Sequence, residues 1–177
     1  MSKLKVALIG NGGICRACHV GNYCEDDRVE VVAFCDIIEE RAIELRDKYY
    51  PDAAVYTDYK ELLKDESIDA VDICTPNYLH SIIAVDAFKA GKHVLCEKPD
   101  AIDVTEVLKM KNAADEAGKV LMVIRNNRFA TASQYAKKFV EDITVLKDTV
   151  IKVDGMNNAK AQMFFANKGV EIFNKIK

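Results

Sequence analysis

The segment Gly10-Asn11-Gly12-Gly13-Ile14-Cys15 follows directly on the apolar run Val6-Ala7-Leu8-Ile9. A glycine-rich turn between a strand and a helix lets the backbone approach a ligand closely. The helix start then offers free N–H groups and a partial positive charge, which is the chemistry that holds a pyrophosphate. Gly10, Asn11, Gly12, Gly13 and Ile14 are therefore candidate cofactor contacts. Cys15 stands where the usual pattern has its third glycine and is small enough for close helix–strand packing. A tight turn that binds nothing is the competing reading, and Asp36 argues against it. This residue ends the second apolar run, at the distance where a carboxylate accepts hydrogen bonds from the hydroxyls of an adenosine ribose. The same charge repels a 2'-phosphate, and Ile37-Ile38-Glu39-Glu40 place no arginine directly after it. The combination favours NAD over NADP. A helix N-cap role for Asp36 is compatible with ribose binding.

Cys15 and Cys18, two residues apart in the same segment, invite a metal or thiol-redox reading, with His19 and Cys24 close in sequence. The set does not reproduce a four-ligand structural-zinc spacing, and no metal is expected. Cys35, Cys74 and Cys96 each close an apolar run, where cysteine behaves as a small buried hydrophobe. Reduced thiols are the expectation for all six cysteines, and His19 and His93 read as structural.

These residues need a scaffold, and the periodicity supplies one. Val6–Ile9, Val31–Phe34, Ala70–Cys74, His93–Cys96 and Val120–Ile124 read as short strands, with a weaker one at Ala54–Tyr56. Between them, three stretches repeat apolar residues at helical spacing: Ile38, Ala42, Leu45, Tyr49; Leu79, Ile83, Ala87, Ala90; and Val107, Met110, Ala114, Ala117. Asp103 with Glu106 three residues on starts the last helix, and Gly118 stops it. Strands that are apolar throughout are buried on both faces, as in a parallel sheet covered by helices. Six strand–helix units in this order predict an α/β doubly wound parallel sheet, a Rossmann fold, with strand order 3-2-1-4-5-6. Strand four then runs into Cys74-Thr75-Pro76-Asn77-Tyr78-Leu79-His80 and strand five into Cys96-Glu97-Lys98-Pro99. Both fall at the carboxyl edge, where open α/β sheets bind ligands.

A length of 177 residues suits one domain, or one domain with a fragment of another. Half of the residues are apolar, and a net charge of -3 with interspersed signs gives no basic footprint for nucleic acid. No apolar run approaches the roughly 20 residues needed to cross a bilayer, and Met1-Ser2-Lys3-Leu4-Lys5 leads into a strand without a signal-peptide pattern. A cytoplasmic location is the expectation.

The glycine turn, Asp36, the Thr75-Pro76-Asn77 segment and above all Ala87-Phe88-Lys89-Ala90-Gly91-Lys92-His93-Val94-Leu95-Cys96-Glu97-Lys98-Pro99 resemble the Gfo/Idh/MocA family of NAD(P)-dependent oxidoreductases. Asn127-Arg128-Phe129 matches a further family segment, and the resemblance covers about residues 3 to 142. It implies that Thr75, Pro76 and Asn77 line the path from adenosine to nicotinamide, with His80 and Arg128 among the cofactor contacts. Glu97 would hold the nicotinamide ribose, and Lys98 would point at the reacting carbon as the catalytic residue. An ammonium beside a substrate hydroxyl stabilises the alkoxide that develops as hydride leaves, and partial desolvation lowers its pKa toward neutrality. The implied cofactor is NAD, with NADP less favoured, and the implied substrate class is a sugar or polyol.

The resemblance divides the chain into a dinucleotide-binding domain at 1–124, a link toward a substrate domain at 125–142, and a short βαβ-like tail at 143–177. The tail stands where the family's sheet-bearing second domain, with its Asp and His, would begin. The expectation is a chain competent for cofactor and lacking most of a substrate site, with an exposed apolar patch that favours a homo-oligomer. Two rival readings stand beside this one. A non-catalytic nucleotide-binding or interaction module would keep the fold without turnover. A methyltransferase also places adenosylmethionine beside a glycine turn, but Glu97-Lys98-Pro99 argues against it.

Overall fold

The computed structural model describes residues 2–125, 130–132 and 134. Six strands, β1 (Leu4–Ile9), β2 (Val29–Cys35), β3 (Ala54–Tyr56), β4 (Ala70–Ile73), β5 (His93–Cys96) and β6 (Leu121–Val123), form one sheet in the order β3-β2-β1-β4-β5-β6. Every pairing is parallel, as the unbroken apolar runs predict. The helices are α1 (Val20–Cys24), preceded by a π-turn at Cys15–His19, then α2 (Glu39–Tyr49), α3 (Tyr59–Leu62), α4 (His80–Lys89) and α5 (Val104–Ala117).

Successive strand residues point to opposite faces, so β1 serves two cores. Ala7 and Ile9 join a cluster with Leu62 of α3, Ile83 and Phe88 of α4 and Met110 of α5. Val6 and Leu8 join another with Val20 of α1 and Ala42 and Leu45 of α2. Phe88 on one face and Phe34 on the other are the largest fully buried side chains, and truncating either costs about 3–5 kcal/mol. The predicted signals of α5 are realised: Asp103 accepts the Glu106 N–H at 2.9 Å, and Gly118 caps the C-terminus at φ +63°.

Two details of the sheet place the site. The β1–β2 register shifts between Val6 and Ala7, because β2 carries one extra residue there, and Ile9 then pairs with Cys35. Ile9 also pairs with Ile73, and Ile73 with Cys96. Gly10, Asp36, Cys74 and Glu97, each one residue further on, consequently share one edge.

The chain divides into two compact units, Met1–Arg125 and Asn126–Lys177. Of the second, a helical hydrogen bond from the Gln134 N–H to the Ala130 carbonyl, 3.0 Å, is described. Asn127-Arg128-Phe129, most of the expected link helix and the whole βαβ-like tail lie outside the described residues. Among the described residues no helix is long and apolar enough to cross a membrane.

Candidate cofactor site

Strand β1 ends at Ile9, and the Gly10 N–H donates to the Cys35 carbonyl at 2.8 Å. Gly10 has φ +90°, and a Cβ there would sit 2.8 Å from the backbone of Cys74 and Thr75. Only glycine lets the β1 and β4 ends approach this closely. Gly12 differs: a Cβ there meets nothing within 4 Å, and the residue faces a cleft of about 700 Å³. Asp36 fixes the turn from the side. Its carboxylate accepts the Asn11 N–H at 2.7 Å and the Ile38 N–H at 2.9 Å. Arg16 holds it from the next turn, donating to the Asn11 carbonyl at 3.0 Å while pairing with Glu44 of α2 at 2.7 Å.

The cleft wall includes Gly10, Gly12, Asp36, Thr75 and Pro76, all expected, together with Ile37, Arg41 and Tyr78, which were not. Ile37 and Tyr78 are exposed apolar surfaces, at 89% and 61%. Arg41 Nη1 lies 3.9 Å from Asp36 Oδ1, so a guanidinium does reach the carboxylate, from the first turn of α2 rather than from the residues directly after Asp36. Asn11 contributes differently from the expectation. Its side chain is fully buried, with Nδ2 donating to the Leu8 carbonyl at 3.3 Å, and its N–H is taken by Asp36. Gly13 and Ile14 are exposed at the helix start. Asn77 is exposed in the turn Asn77–Leu79, outside the cleft wall.

These residues fit a dinucleotide. The open space before Gly12 is where a side chain would block a pyrophosphate, and Asp36 borders the same space. Thr75 Oγ1 and Asn11 Oδ1 are buried without a hydrogen-bond partner, and the first belongs to a residue of the cleft wall. A second cleft, of about 550 Å³, lies at the opposite edge of the sheet near Leu4 and Lys92, away from every residue with expected chemistry.

The ends of β4 and β5 are tied together by buried polar groups. Glu97 is buried, and its Oε2 accepts the Lys98 N–H at 2.9 Å. Lys98 itself is exposed, and its bond to Pro99 is cis. His80, fully buried, does not face the cleft. Its ring nitrogens lie 2.8 Å from the carbonyls of Pro99 and Thr75, bridging the two loops from behind. His93 is structural as expected, with Nδ1 accepting the Val120 N–H at 3.0 Å.

His19, expected to be structural, is buried in a network of polar side chains. It sits in the π-turn, with Nδ1 2.8 Å from Asp72 Oδ2 and Nε2 3.0 Å from Glu97 Oε1. Tyr23 OH donates to the same Asp72 oxygen at 2.9 Å. Burial works against a charged ring, but the hydrogen bond and charge of Asp72 and the hydrogen bond of Glu97 override it and raise the His19 pKa to about 9. Burial, with the Asp72 charge, pushes the Tyr23 phenol up. Cys74 Sγ lies 3.4 Å from His19 Nδ1. The Cys74 thiol is pushed up by its hydrogen bond to Cys15 and by burial, and the same bond lowers Cys15. His19, Asp72 and Cys74 have donor atoms within 4.8 Å of one another, but both ring nitrogens are occupied by carboxylates, which makes this a proton-linked network. The Cys15/Cys18 pair does not form a unit: Cys15 is buried and Cys18 exposed, and all six cysteines are free. One signal for the network was present in the sequence. Asp72 interrupts an otherwise apolar strand, and a carboxylate buried there requires partners.

A parallel 3-2-1-4-5-6 sheet with a glycine turn, a carboxylate directly after β2 and a cleft at its carboxyl edge defines a dinucleotide-binding Rossmann domain. The model of the Gfo/Idh/MocA family, described as an oxidoreductase family with an NAD-binding Rossmann fold, matches residues 4–125, and the chain belongs to that family. It is 36% identical over 139 residues to the D-glucoside 3-dehydrogenase of Escherichia coli (strain K12), covering 78% of this chain and 39% of that protein. Among solved structures, the WlbA dehydrogenase from Bordetella pertussis in complex with NADH and UDP-GlcNAcA superposes with TM-score 0.72 at 32% identity, over 80% of this chain and 42% of that one. A 3-ketoreductase from Actinomadura kijaniata in complex with NADP and TDP-benzene gives TM-score 0.66 at 28% identity, over 70% and 37%. The chain spans less than half the length of these relatives.

Proposed function

We propose that this chain binds NAD in the carboxyl-edge cleft and serves hydride transfer between the nicotinamide and a hydroxyl-bearing carbon of a sugar or polyol. The observation that carries the reading is the alignment of Gly10, Asp36, Cys74 and Glu97 along one sheet edge, with Gly12, Asp36 and Thr75 lining one cleft there. Gly10, Gly12 and Gly13, with the helix start at Ile14, would receive the pyrophosphate, and Thr75 Oγ1 is a buried polar atom beside that path still lacking a partner. Asp36, already fixed by two N–H donors, would accept from the adenosine ribose, with Ile37 and Tyr78 as apolar surfaces for the adenine. Glu97 would accept from the nicotinamide ribose. The nicotinamide, when bound, supplies the hydride acceptor or donor. Lys98 offers its ammonium to the substrate oxygen, stabilising negative charge there as the C–H bond breaks.

The NAD preference rests on the Asp36 charge, which disfavours a 2'-phosphate. Arg41 offsets part of that repulsion, so the preference is moderate in size rather than absolute. Free, mostly buried thiols suit a reducing, cytoplasmic setting. Ile102, Val104 and Leu108, exposed around the start of α5, support self-association.

Calorimetric titration of the purified chain with NAD, NADP and adenosylmethionine tests the reading. Saturable binding of NAD, weaker binding of NADP and none of adenosylmethionine is expected. Adenosylmethionine binding in place of NAD would move the protein to a methyltransferase reading.

A further inference from the structure

Asp72 and Glu97 face each other across one imidazole ring, with the His19, Asp72 and Glu97 side chains only 5%, 0% and 9% exposed. Ionised carboxylates only accept hydrogen bonds, so with Asp72 and Glu97 both ionised the contacts at the two ring nitrogens require both to donate, and the ring is then a cation. The remaining Glu97 oxygen accepts the Lys98 N–H at 2.9 Å. Each Glu97 oxygen thus has a fixed donor, His19 from behind and the Lys98 backbone beside it. Asp36, the carboxylate of the adenosine side, shares no hydrogen bond with any of the three.

We propose that His19 is a positioning residue for the nicotinamide half of the bound dinucleotide: as an imidazolium it ties Glu97 to Asp72 and holds Glu97 and the Lys98 backbone in place beside the cleft. The proposal rests on the reading of the chain as an NAD-binding domain. Groups held before a ligand arrives lose little freedom when it binds, so affinity falls when the support is removed even though the support touches no ligand. The groups facing His19 are Cys15 of the π-turn, Asp72 of β4, Cys74 just after β4 and Glu97 just after β5, with Tyr23 of α1 on the same Asp72 oxygen and Cys96 of β5 facing both carboxylates. With the His19 pKa raised to about 9, the bridge is intact at neutral pH and opens as pH rises through that value.

The test compares NAD with ADP, which carries only the adenosine half, by calorimetry on the full chain and on His19→Asn and His19→Gln. The expected result is a loss of about ten- to a hundredfold in NAD affinity, the size of a lost charge-assisted contact, with ADP affinity within about twofold of wild type. In the wild type the ratio of NAD to ADP affinity should fall between pH 7 and pH 10, and in the variants it should not change with pH. Equal losses for NAD and ADP would show a purely structural histidine, and no loss for either would show none of the proposed coupling; both overturn the proposal. A wild type that binds ADP but not NAD, or neither, overturns the functional reading and this proposal together. Should both variants fail to fold, imidazole ¹⁵N spectra of the wild type decide, since the chain has three histidines. A His19 ring protonated at both nitrogens at pH 7.5 and shifted by NAD but not ADP supports the proposal, and a neutral ring overturns it.

Discussion

Around the glycine turn and Asp36 at the carboxyl edge the protein works with backbone. Gly10 at φ +90° packs against Cys74 and Thr75, Gly12 leaves open space, and the N–H groups of Asn11 and Ile38 converge on Asp36. Between the ends of β4 and β5 it works with buried side chains: His19 from the π-turn, Asp72 from within β4 and Glu97 just after β5. The first side is shaped by what is missing, a Cβ. The second is shaped by charges that are costly to bury singly and stable only as a set. The two sides should therefore fail differently, the first by steric change and the second by loss of a proton.

The largest effect is expected at Gly10. In Gly10→Ala the new Cβ would overlap the Cys74–Thr75 backbone and force a left-handed conformation on alanine, costing at least about 3 kcal/mol. Urea unfolding measures this, and an unchanged midpoint would mean that the β1 and β4 ends have room to part. Gly12→Val separates binding from folding: with nothing within 4 Å, the variant should unfold like wild type yet lose NAD binding beyond about a hundredfold. Normal affinity in a folded Gly12→Val would remove the glycine turn from the site.

The charged side should answer to pH. The His19 pKa is higher in the folded chain, about 9, than the ordinary 6.5. Its contribution to stability is therefore complete below about 6.5 and is lost as pH rises through about 9, a change on the order of 3 kcal/mol. Denaturant midpoints between pH 6 and pH 8.5, below the range where the buried thiols begin to contribute, measure most of it, and the slope there should vanish in His19→Gln; a wild-type midpoint that is flat across this range contradicts a charged bridge.

Asp36→Ser removes both the 2'-phosphate repulsion and charge-assisted acceptors worth about 1.5–3 kcal/mol each. NAD should weaken, NADP should strengthen relative to it, and equal wild-type affinities for the two would refute the preference outright. The smallest effect belongs to Arg41→Ala. An exposed guanidinium contributes about 0.2–1 kcal/mol, so NADP affinity should fall severalfold at low salt with NAD nearly unchanged. A larger loss for NAD than for NADP would give Arg41 some other role.

The difference between the two sides also explains what could be read from sequence. Gly10, Gly12, Asp36, Thr75 and Glu97 are legible because each lies within three residues of a strand end, and parallel strands bring their ends to one edge. The strands themselves are legible because burial on both faces makes them mostly apolar, and α5 because its caps are local. His19 lies 53 positions from Asp72 and 78 from Glu97, and nothing local announces a π-turn that brings its ring to both. Arg41 escaped for a related reason: the chain turns at Ile37 and Ile38, so α2 begins beside Asp36 rather than leading away from it. Burial turns the side chains of Asn11 and His80, both expected to contact the cofactor, toward backbone carbonyls of the scaffold.

The most direct test of the account is a crystal structure of the chain with NAD at neutral pH. The account predicts adenosine ribose hydroxyls on Asp36, pyrophosphate oxygens before Gly12, and nicotinamide ribose hydroxyls on a Glu97 still bridged by His19 to Asp72. A dinucleotide bound elsewhere on the chain, or one whose nicotinamide ribose leaves Glu97 without contact, would contradict it.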